Sequence, residues 1–204
     1  MGEGMAQVAI CRSTVDLVGL PKTLLADHAA FLGRWREALV TAGPIWREGG
    51  APAGYLYQTD LPGSVPEAVA GFLAEDPFAR AGVYEATELS DWHCALPTRL
   101  AGAPPRPGLQ GFFFHGIGKP GVTELRNTIL PAHRAHLQRK DAANCLARGY
   151  LTDAGGKTWL GSAMVYEFES RAALDDFFRD EPYCAAGLYQ KIEIYAWRRG
   201  TIAG

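Results

Sequence analysis

Two histidines occupy the same place in two helix-like patterns 105 positions apart, and they are the first candidates for chemistry. His28 shares the helical phase of the apolar residues Leu24, Phe31 and Leu32, and His133 has the same phase in the second pattern. A histidine on such a core-facing stripe is often only a buried, hydrogen-bonded side chain. Because the same residue recurs at the same phase, the pattern equally indicates an imidazole that transfers protons near neutral pH.

A carboxylate follows each histidine after the same interval. Asp76 ends a second helix pattern directly before Pro77, and Glu181 stands 105 positions later. Asp before Pro is a common turn residue, but the C-terminal end of a helix also raises the pKa of a nearby carboxyl group. A carboxyl group with a raised pKa suits a base that works near neutral pH, and Glu181 occupies the corresponding place in the second pattern. The longer Glu side chain is expected to displace the second carboxylate by roughly 1 Å.

Three further side chains are candidate substrate contacts. Tyr84 and Tyr189 coincide in the repeat and carry hydroxyl groups, although core packing is the more common role for such residues. His136 lies one helical turn from His133, so the second site is either degenerate or adapted through this extra imidazole.

The sequence gives no pattern for a metal or a cofactor. The four cysteines lack paired spacing, and His93, Cys94 and His115 lack the partners of a metal site. The glycine-rich segment from His115 to Gly121 has no acidic residue at the distance that a dinucleotide site needs. We therefore expect no metal and no cofactor.

The chain repeats itself, and this repeat defines its organisation. The segment from Phe72 to Trp92 aligns without a gap with that from Phe177 to Trp197, and the same offset aligns residues 24–34 with residues 129–139. We predict two homologous domains, residues 1–96 (the first half) and 109–204 (the second half), joined by a linker rich in proline and glycine at residues 97–108.

The apolar patterns predict the elements that must position these side chains. Each half is expected to follow the order β-α-β-β-α-β of an α+β, ferredoxin-like fold. Helices would cover one sheet face only, so the second half would cover the other face and complete a pseudo-dimeric α+β barrel within one chain. The expected elements include strands at residues 8–11, 54–59 and 83–89 in the first half and at residues 112–115, 163–168 and 188–197 in the second.

Composition narrows the classes of partner. The 204 residues include 20 basic and 22 acidic side chains, so the chain lacks the positive charge that nucleic-acid binding requires. No apolar run reaches the length of a membrane span. We expect a cytoplasmic protein that acts on a small-molecule substrate, with no nucleic-acid or membrane partner, either as a monomeric pseudo-dimer or as a homo-oligomer.

The repeated segments resemble the YciI-like (YCII-related) family. The resemblance rests on DPFARAGVY and EPYCAAGLY, on the histidine-bearing helices and on the turn-like segment TAGP, from Thr41 to Pro44. It implies ferredoxin-like domains that pair into α+β barrels and that have a His–Asp active site. His28 and Asp76 match this catalytic pair in the first half, and His133 and Glu181 are its counterpart in the second. One related branch of the family eliminates HCl from a chlorinated hydroxyhydroquinone. Glu181 departs from the family's Asp, and TDAGG at residues 152–156 is expected to replace TAGP in the second half.

These observations predict a cofactor-independent lyase or isomerase. In this hypothesis His28, oriented by Asp76, removes a proton from a small cyclic or phenolic metabolite and so drives elimination, dehydration or rearrangement. Two alternatives remain open: a non-catalytic protein that binds small molecules or has a structural role in a pathway, and a cofactorless oxygenase of the same barrel fold.

Overall fold

Strands and helices alternate in an order that occurs twice along the chain. The structure is a computed structural model that describes residues 6–61, 65–96, 106–140, 144–153 and 156–201. The elements of the first half are β1 (Ala6–Arg12), α1 (Lys22–Arg34), β2 (Leu39–Trp46), β3 (Pro52–Thr59), α2 (Val65–Glu75), α3 (Pro77–Arg80) and β4 (Ala86–Cys94). Those of the second half are β5 (Gln110–Gly118), α4 (Thr123–Lys140), β6 (Cys145–Thr152), β7 (Trp159–Phe168), α5 (Arg171–Arg179), α6 (Pro182–Ala185) and β8 (Tyr189–Trp197).

The eight strands form one closed antiparallel barrel. Their order is β1-β3-β2-β8-β5-β7-β6-β4, so each half contributes four adjacent strands. The halves join where β2 pairs with β8 and where β4 pairs with β6. The predicted α+β class and the barrel are confirmed. The origin of the barrel as a pseudo-dimer of two homologous domains stays a prediction.

Alternation along each strand separates the barrel interior from the helix-covered outside. In β1, Val8 and Ile10 belong to an interior core that also contains Phe113 and Val165 of the second half. Cys11, which points the other way, packs in a cluster beneath the helices of the first half. The histidines on α1 and α4 therefore lie outside the barrel, between a helix and the outer face of the sheet.

Several predicted boundaries move in the structure. Helix α1 ends at Arg34, and β2 starts at Leu39. The last strand of the first half begins at Ala86, three residues after the predicted Val83. TAGP is not a turn, because Thr41 to Pro44 lie inside β2. A Cβ at Gly43 would stand 1.8 Å from the Arg198 carbonyl oxygen, so this glycine permits a close approach of the chain's last strand.

The predicted linker falls mostly outside the described residues. Residues 97–105 are not described, so the domain boundaries 1–96, 97–108 and 109–204 stay predictions. Among the helices that the structure describes, none has the length and apolar character needed to cross a membrane.

Candidate active site

The first pair, His28 and Asp76, lies in the packed layer between the helices and the sheet. His28 is on α1 and is 1% exposed, and Asp76 joins α2 to α3 and is 0% exposed. Asp76 is the N-cap of α3, where its Oδ1 accepts a 2.8 Å hydrogen bond from the Phe78 amide. The capping role explains locally why an Asp precedes Pro77 here.

A phenol separates the imidazole from the carboxylate in the first pair. The Tyr57 hydroxyl lies 2.8 Å from His28 Nε2 and donates a 2.8 Å hydrogen bond to Asp76 Oδ2. The Tyr84 hydroxyl donates to the same carboxylate oxygen at 3.0 Å. The shortest distance between the imidazole and the carboxylate is 3.8 Å, from His28 Nε2 to Asp76 Oδ1. The two predicted partners are thus close together but bridged by Tyr57.

Burial shifts both groups of the first pair toward their neutral forms. It lowers the pKa of His28 from 6.5 to about 3. Burial also raises the pKa of Asp76, against hydrogen bonds from Tyr57, Phe78 and Tyr84 that lower it. The predicted raised pKa of this carboxyl group therefore has burial as its largest cause.

Aromatic rings enclose His28. Phe78 stacks on the imidazole at 3.8 Å, and Tyr55 meets it edge-on at 4.9 Å. A shallow groove outside α1 and α3 is lined by residues such as Asp27 and Arg80, but not by His28 or Asp76. The catalytic role of this pair stays a prediction, and its packing leaves it no contact with that groove.

In the second pair the imidazole and the carboxylate meet directly. His133 Nδ1, on α4, lies 2.5 Å from Glu181 Oε1. Glu181 is the N-cap of α6 and accepts hydrogen bonds from the amides of Tyr183 (3.1 Å) and Cys184 (3.0 Å). Tyr183 stacks on His133 at 3.9 Å, as Phe78 stacks on His28. The longer Glu side chain, expected to misplace the carboxylate, instead brings it within hydrogen-bond distance of the imidazole.

In the second pair the surroundings of Glu181 favour its ionised form. Burial raises the pKa of Glu181, but the His133 hydrogen bond and charge and two backbone amides outweigh it, so the pKa lies below its ordinary value of 4.5. An ionised carboxylate at Nδ1 favours the tautomer that carries its proton there. Nε2, which has no hydrogen-bond partner among the described residues, is then left as the basic nitrogen.

His133 faces a cavity, which we call the α4 cavity. It has a volume of about 270 Å³ and lies between α4, Tyr183 and the outer face of β6 and β7. This volume is close to the lower end of the range of roughly 300–1,000 Å³ that ligand pockets usually have. The lining combines apolar, aromatic and cationic side chains: Leu130, His133, Leu137, Met164, Tyr150, Tyr183, Ser162, Arg126, Arg134 and Arg148. Among the candidate pairs, only the second one contributes a residue to it.

Strand pairing explains why space exists at this place in the second half and not at the corresponding place in the first half. Gly54 and Gly161 take the same place, since a Cβ on either would stand 1.9 Å from a carbonyl oxygen of the adjacent strand. Cys11 pairs with Tyr55, and Gly116, 105 positions after Cys11, pairs with Ser162. Two residues further along β3 and β7, on the same face of each strand, Tyr57 corresponds to Met164. Two phenols that fill the first half are thus replaced by a serine and a methionine, which line the cavity.

The same pairing corrects the predicted replacement of TAGP. In β2, Ala42 pairs with Tyr57 and Pro44 with Tyr55; in β6, Arg148 pairs with Met164 and Tyr150 with Ser162. The counterpart of TAGP is therefore ARGY at residues 147–150, inside β6, and not TDAGG at residues 152–156. The hydrogen bonds of a β-sheet fix which residues share a face. Arg148 and Tyr150, which line the cavity, therefore stand where the first half has Ala42 and Pro44.

The other predicted contacts have indirect or structural places. Tyr84 is part of the first pair's hydrogen-bond network. Tyr189 does not line the cavity, but its hydroxyl donates a 2.9 Å hydrogen bond to Ser162 Oγ, which does. His136 is buried, and its Nε2 lies 3.2 Å from the Phe177 carbonyl oxygen. His136 is thus placed to support α5 and not to contact a substrate in the cavity.

Sequence reasoning missed the arginines and the polar strand residues of the cavity. Arg126 lies on α4, seven residues before His133. Its guanidinium carbon lies 4.9 Å from the centre of the Tyr150 ring and 5.9 Å from that of the Tyr183 ring. A comparison of the two halves would have shown the signal, since Pro21 stands 105 positions before Arg126. In the described part of the chain no three His, Cys, Asp or Glu side chains group as metal ligands would.

Comparison with known proteins identifies the family. The sequence profile of the YCII-related domain matches residues 112–198. Protein YciI of Escherichia coli O6:H1 is 32% identical over 94 residues, which are 43% of this chain and 96% of the relative. The chain belongs to the YCII-related family. Protein YciI of Shigella flexneri matches this YCII-related chain to the same extent.

Solved structures support the fold. Chlorite dismutase from Candidatus Nitrospira defluvii, in complex with imidazole, superposes with a TM-score of 0.61 over 97% of this chain and 92% of its own, at 12% identity. That likeness concerns the fold alone. A dehydrochlorinase for 5-chloro-2-hydroxyhydroquinone from Burkholderia phenoliruptrix is 26% identical and covers 43% of this YCII-related chain and 93% of its own, with a TM-score of 0.39. At that score the likeness carries no argument about chemistry.

Proposed function

We propose that this YCII-related protein is a cofactor-independent lyase or isomerase whose working site is the α4 cavity. His133 is its general base and Glu181 holds the imidazole. One observation carries the proposal: His133 both contacts a carboxylate at 2.5 Å and lines a cavity of about 270 Å³. The first pair has the same residue types, but its imidazole is 1% exposed and packed between aromatic rings.

The geometry supports a simple proton-transfer step. The lone pair of His133 Nε2 forms an N–H bond with a proton from a substrate carbon, and the electrons of the broken C–H bond move into an adjacent carbonyl group as an enolate. In an elimination these electrons expel a leaving group from the neighbouring carbon; in an isomerisation the imidazolium returns the proton elsewhere. Glu181 balances the positive charge on the imidazole meanwhile, and such catalysis contributes about 10²–10⁴-fold in rate.

We further propose that the barrel is a tandem fusion of two YciI-like domains that pair within the chain. The repeat of element order and the matching places of His28 and His133, Phe78 and Tyr183, and Gly54 and Gly161 support this origin. In such a fusion one domain can keep the substrate site while the corresponding site of the other domain is filled by packed side chains. The replacement of Ser162 and Met164 by Tyr55 and Tyr57 in the first half fits that division.

Proton exchange with solvent tests the proposed base without knowledge of the natural reaction. The protein is incubated in D₂O with one-ring compounds that have an acidic C–H bond, including cyclohexanone, its ring-carboxylated counterpart and a set of hydroxyquinols, and deuterium uptake is followed by proton NMR. Wild type is expected to catalyse uptake in at least one compound, and His133→Gln is expected to lose about 10²-fold or more of that rate.

His28→Gln is the matched control, since it changes the same residue type at the corresponding place in the first half. If folded, it is expected to retain the wild-type exchange rate. Uptake that is lost in His28→Gln but kept in His133→Gln would assign the chemistry to the first pair. Absence of catalysed uptake in every compound with folded wild type would reject the general-base function itself.

A further inference from the structure

We infer that the α4 cavity selects an organic anion: a one-ring compound with a carboxylate group, held by Arg126 and Arg134. The inference rests on the proposed function only in that it concerns the same cavity. It starts from the charges of the lining. Three arginines line the cavity, and the described lining residues include no Asp or Glu. The nearby carboxylate of Glu181 is already engaged by His133 and two backbone amides.

Arg126 is the best placed of these cations. Its side chain is half-buried among aromatic rings, with the guanidinium carbon 4.9 Å from the centre of Tyr150 and 5.6 Å from that of Trp159. Its Nη1 donates a 3.3 Å hydrogen bond to Asn127 Oδ1, and its Nε is buried without a hydrogen-bond partner among the described residues. No Asp or Glu among the described residues forms an ion pair with it. Arg126 is thus a cation that is held in place by rings and has no paired carboxylate.

The second arginine and a hydroxyl complete the polar side. Arg134, on α4 one position after His133, is exposed at the rim of the cavity. Ser162 Oγ accepts the hydrogen bond from Tyr189, so its own proton is available for a second acceptor. A guanidinium group binds a carboxylate through two parallel hydrogen bonds, which favours this planar anion over a spherical one.

The apolar side of the cavity suits a ring. Leu130, Leu137 and Met164 line it together with the ring of Tyr183. His133 stacks on Tyr183 at 3.9 Å, and the Arg126 guanidinium carbon lies 5.9 Å from the same ring centre. Both side chains thus lie near the same aromatic ring, so a one-ring ligand beside Tyr183 can reach both. At roughly 30 Å³ for each water molecule, the volume corresponds to about nine waters, which also limits the ligand to a small one.

The three arginines that line the α4 cavity have no cationic counterparts in the first half. By the repeat, Pro21 stands at the place of Arg126 and Ala29 at that of Arg134, and strand pairing puts Ala42 at the place of Arg148. The corresponding place in the first half is filled by packed side chains and lacks all three positive charges. At this place in the fold, open volume and positive charge therefore occur together, as an anion site requires.

Calorimetric titration with benzoate tests the inference. Benzoate is expected to bind wild type, and benzamide, its uncharged analogue, to bind at least tenfold more weakly. Arg126→Gln is expected to weaken benzoate binding by roughly ten- to a hundredfold, the scale of a charge-assisted hydrogen-bonded pair. The matched control is Arg36→Gln, which removes an equal charge from an exposed side chain of the first half paired with Glu37. It is expected to change the affinity by no more than about twofold.

Each other outcome overturns the inference. No benzoate binding up to about 20 mM would exclude an affinity useful for a substrate. Equal affinities for benzoate and benzamide, or for wild type and Arg126→Gln, would show that charge does not select the ligand. If inorganic phosphate occupied the cavity as strongly as benzoate does, the cavity would be a general anion site and the carboxylate assignment would be rejected.

Failure of this inference is distinguishable from failure of the proposed function. His133→Gln tests the base through the loss of deuterium exchange, whereas Arg126→Gln tests the cation through the loss of benzoate binding, so the two measurements can fail separately. Catalysed exchange that is equally fast for cyclohexanone and its carboxylated counterpart would leave the base in place but reject anion selection.

Discussion

His28 is expected to make the folded protein sensitive to acid. Burial lowers the pKa of its imidazole from 6.5 to about 3, so the folded protein keeps it neutral at pH values where the unfolded chain already binds a proton. His28→Gln removes this titration and keeps a polar side chain that can reach the Tyr57 hydroxyl, which lies 2.8 Å from His28 Nε2.

The size and sign of the effect follow from the two pKa values. Because the unfolded state binds more protons, stability rises with pH between about 3 and 6.5 and falls as the solution becomes more acidic. One proton corresponds to about 1.4 kcal/mol for each pH unit, so the free energy of unfolding of wild type should fall relative to His28→Gln by on the order of 1 kcal/mol for each unit below 6.

Urea denaturation of both proteins, followed by circular dichroism at several pH values from roughly 7 to 5, measures this difference. The pH-independent cost of the substitution cancels, because only the slope of the difference against pH is used. His133→Gln provides a second reference with the same change of residue type. Parallel stability curves for wild type and His28→Gln would refute the buried, neutral histidine and would restore the first pair as a candidate for chemistry near neutral pH.

Two further substitutions examine the second pair and its cavity. Met164→Tyr introduces the phenol that Tyr57 provides in the first half. It should reduce benzoate affinity at least tenfold while the melting temperature changes little, because the ring enters open space and avoids the roughly 1–3 kcal/mol cost of overpacking. Met164→Leu is the control, and its benzoate affinity should stay near that of wild type. Glu181→Gln should lower the free energy of unfolding at neutral pH by about 1–3 kcal/mol, because it weakens a partly buried, charge-assisted hydrogen bond to His133. Since the folded-state pKa of Glu181 lies below 4.5, this contribution is present above that pH and is lost as the pH falls through the folded pKa, so the two stability curves should converge in acid. Unchanged benzoate binding in Met164→Tyr, or a stability difference that grows in acid for Glu181→Gln, would contradict these expectations.

Much of the site follows from the sequence because a repeat carries positional information. The offset of 105 residues places His28 and His133 at one helical phase and Asp76 and Glu181 at one turn, and the structure brings each histidine close to its acid. The phase of a helix depends only on local spacing, so such placements can be derived from residue order. Strand content and the α+β class follow from local patterns in the same way.

Which pair has room for a ligand depended on tertiary structure. Corresponding residues of the two halves are 105 positions apart in α1 and α4 but 107 positions apart in β3 and β7. Tyr55, opposite Cys11, therefore corresponds to Ser162, opposite Gly116. Sheet hydrogen bonds set this register, and a shift of residues along a strand changes which side chains meet the helix. The cavity arises between a helix, two strands and a one-turn helix that are distant in sequence, and free volume is a property of their packing that no single segment contains.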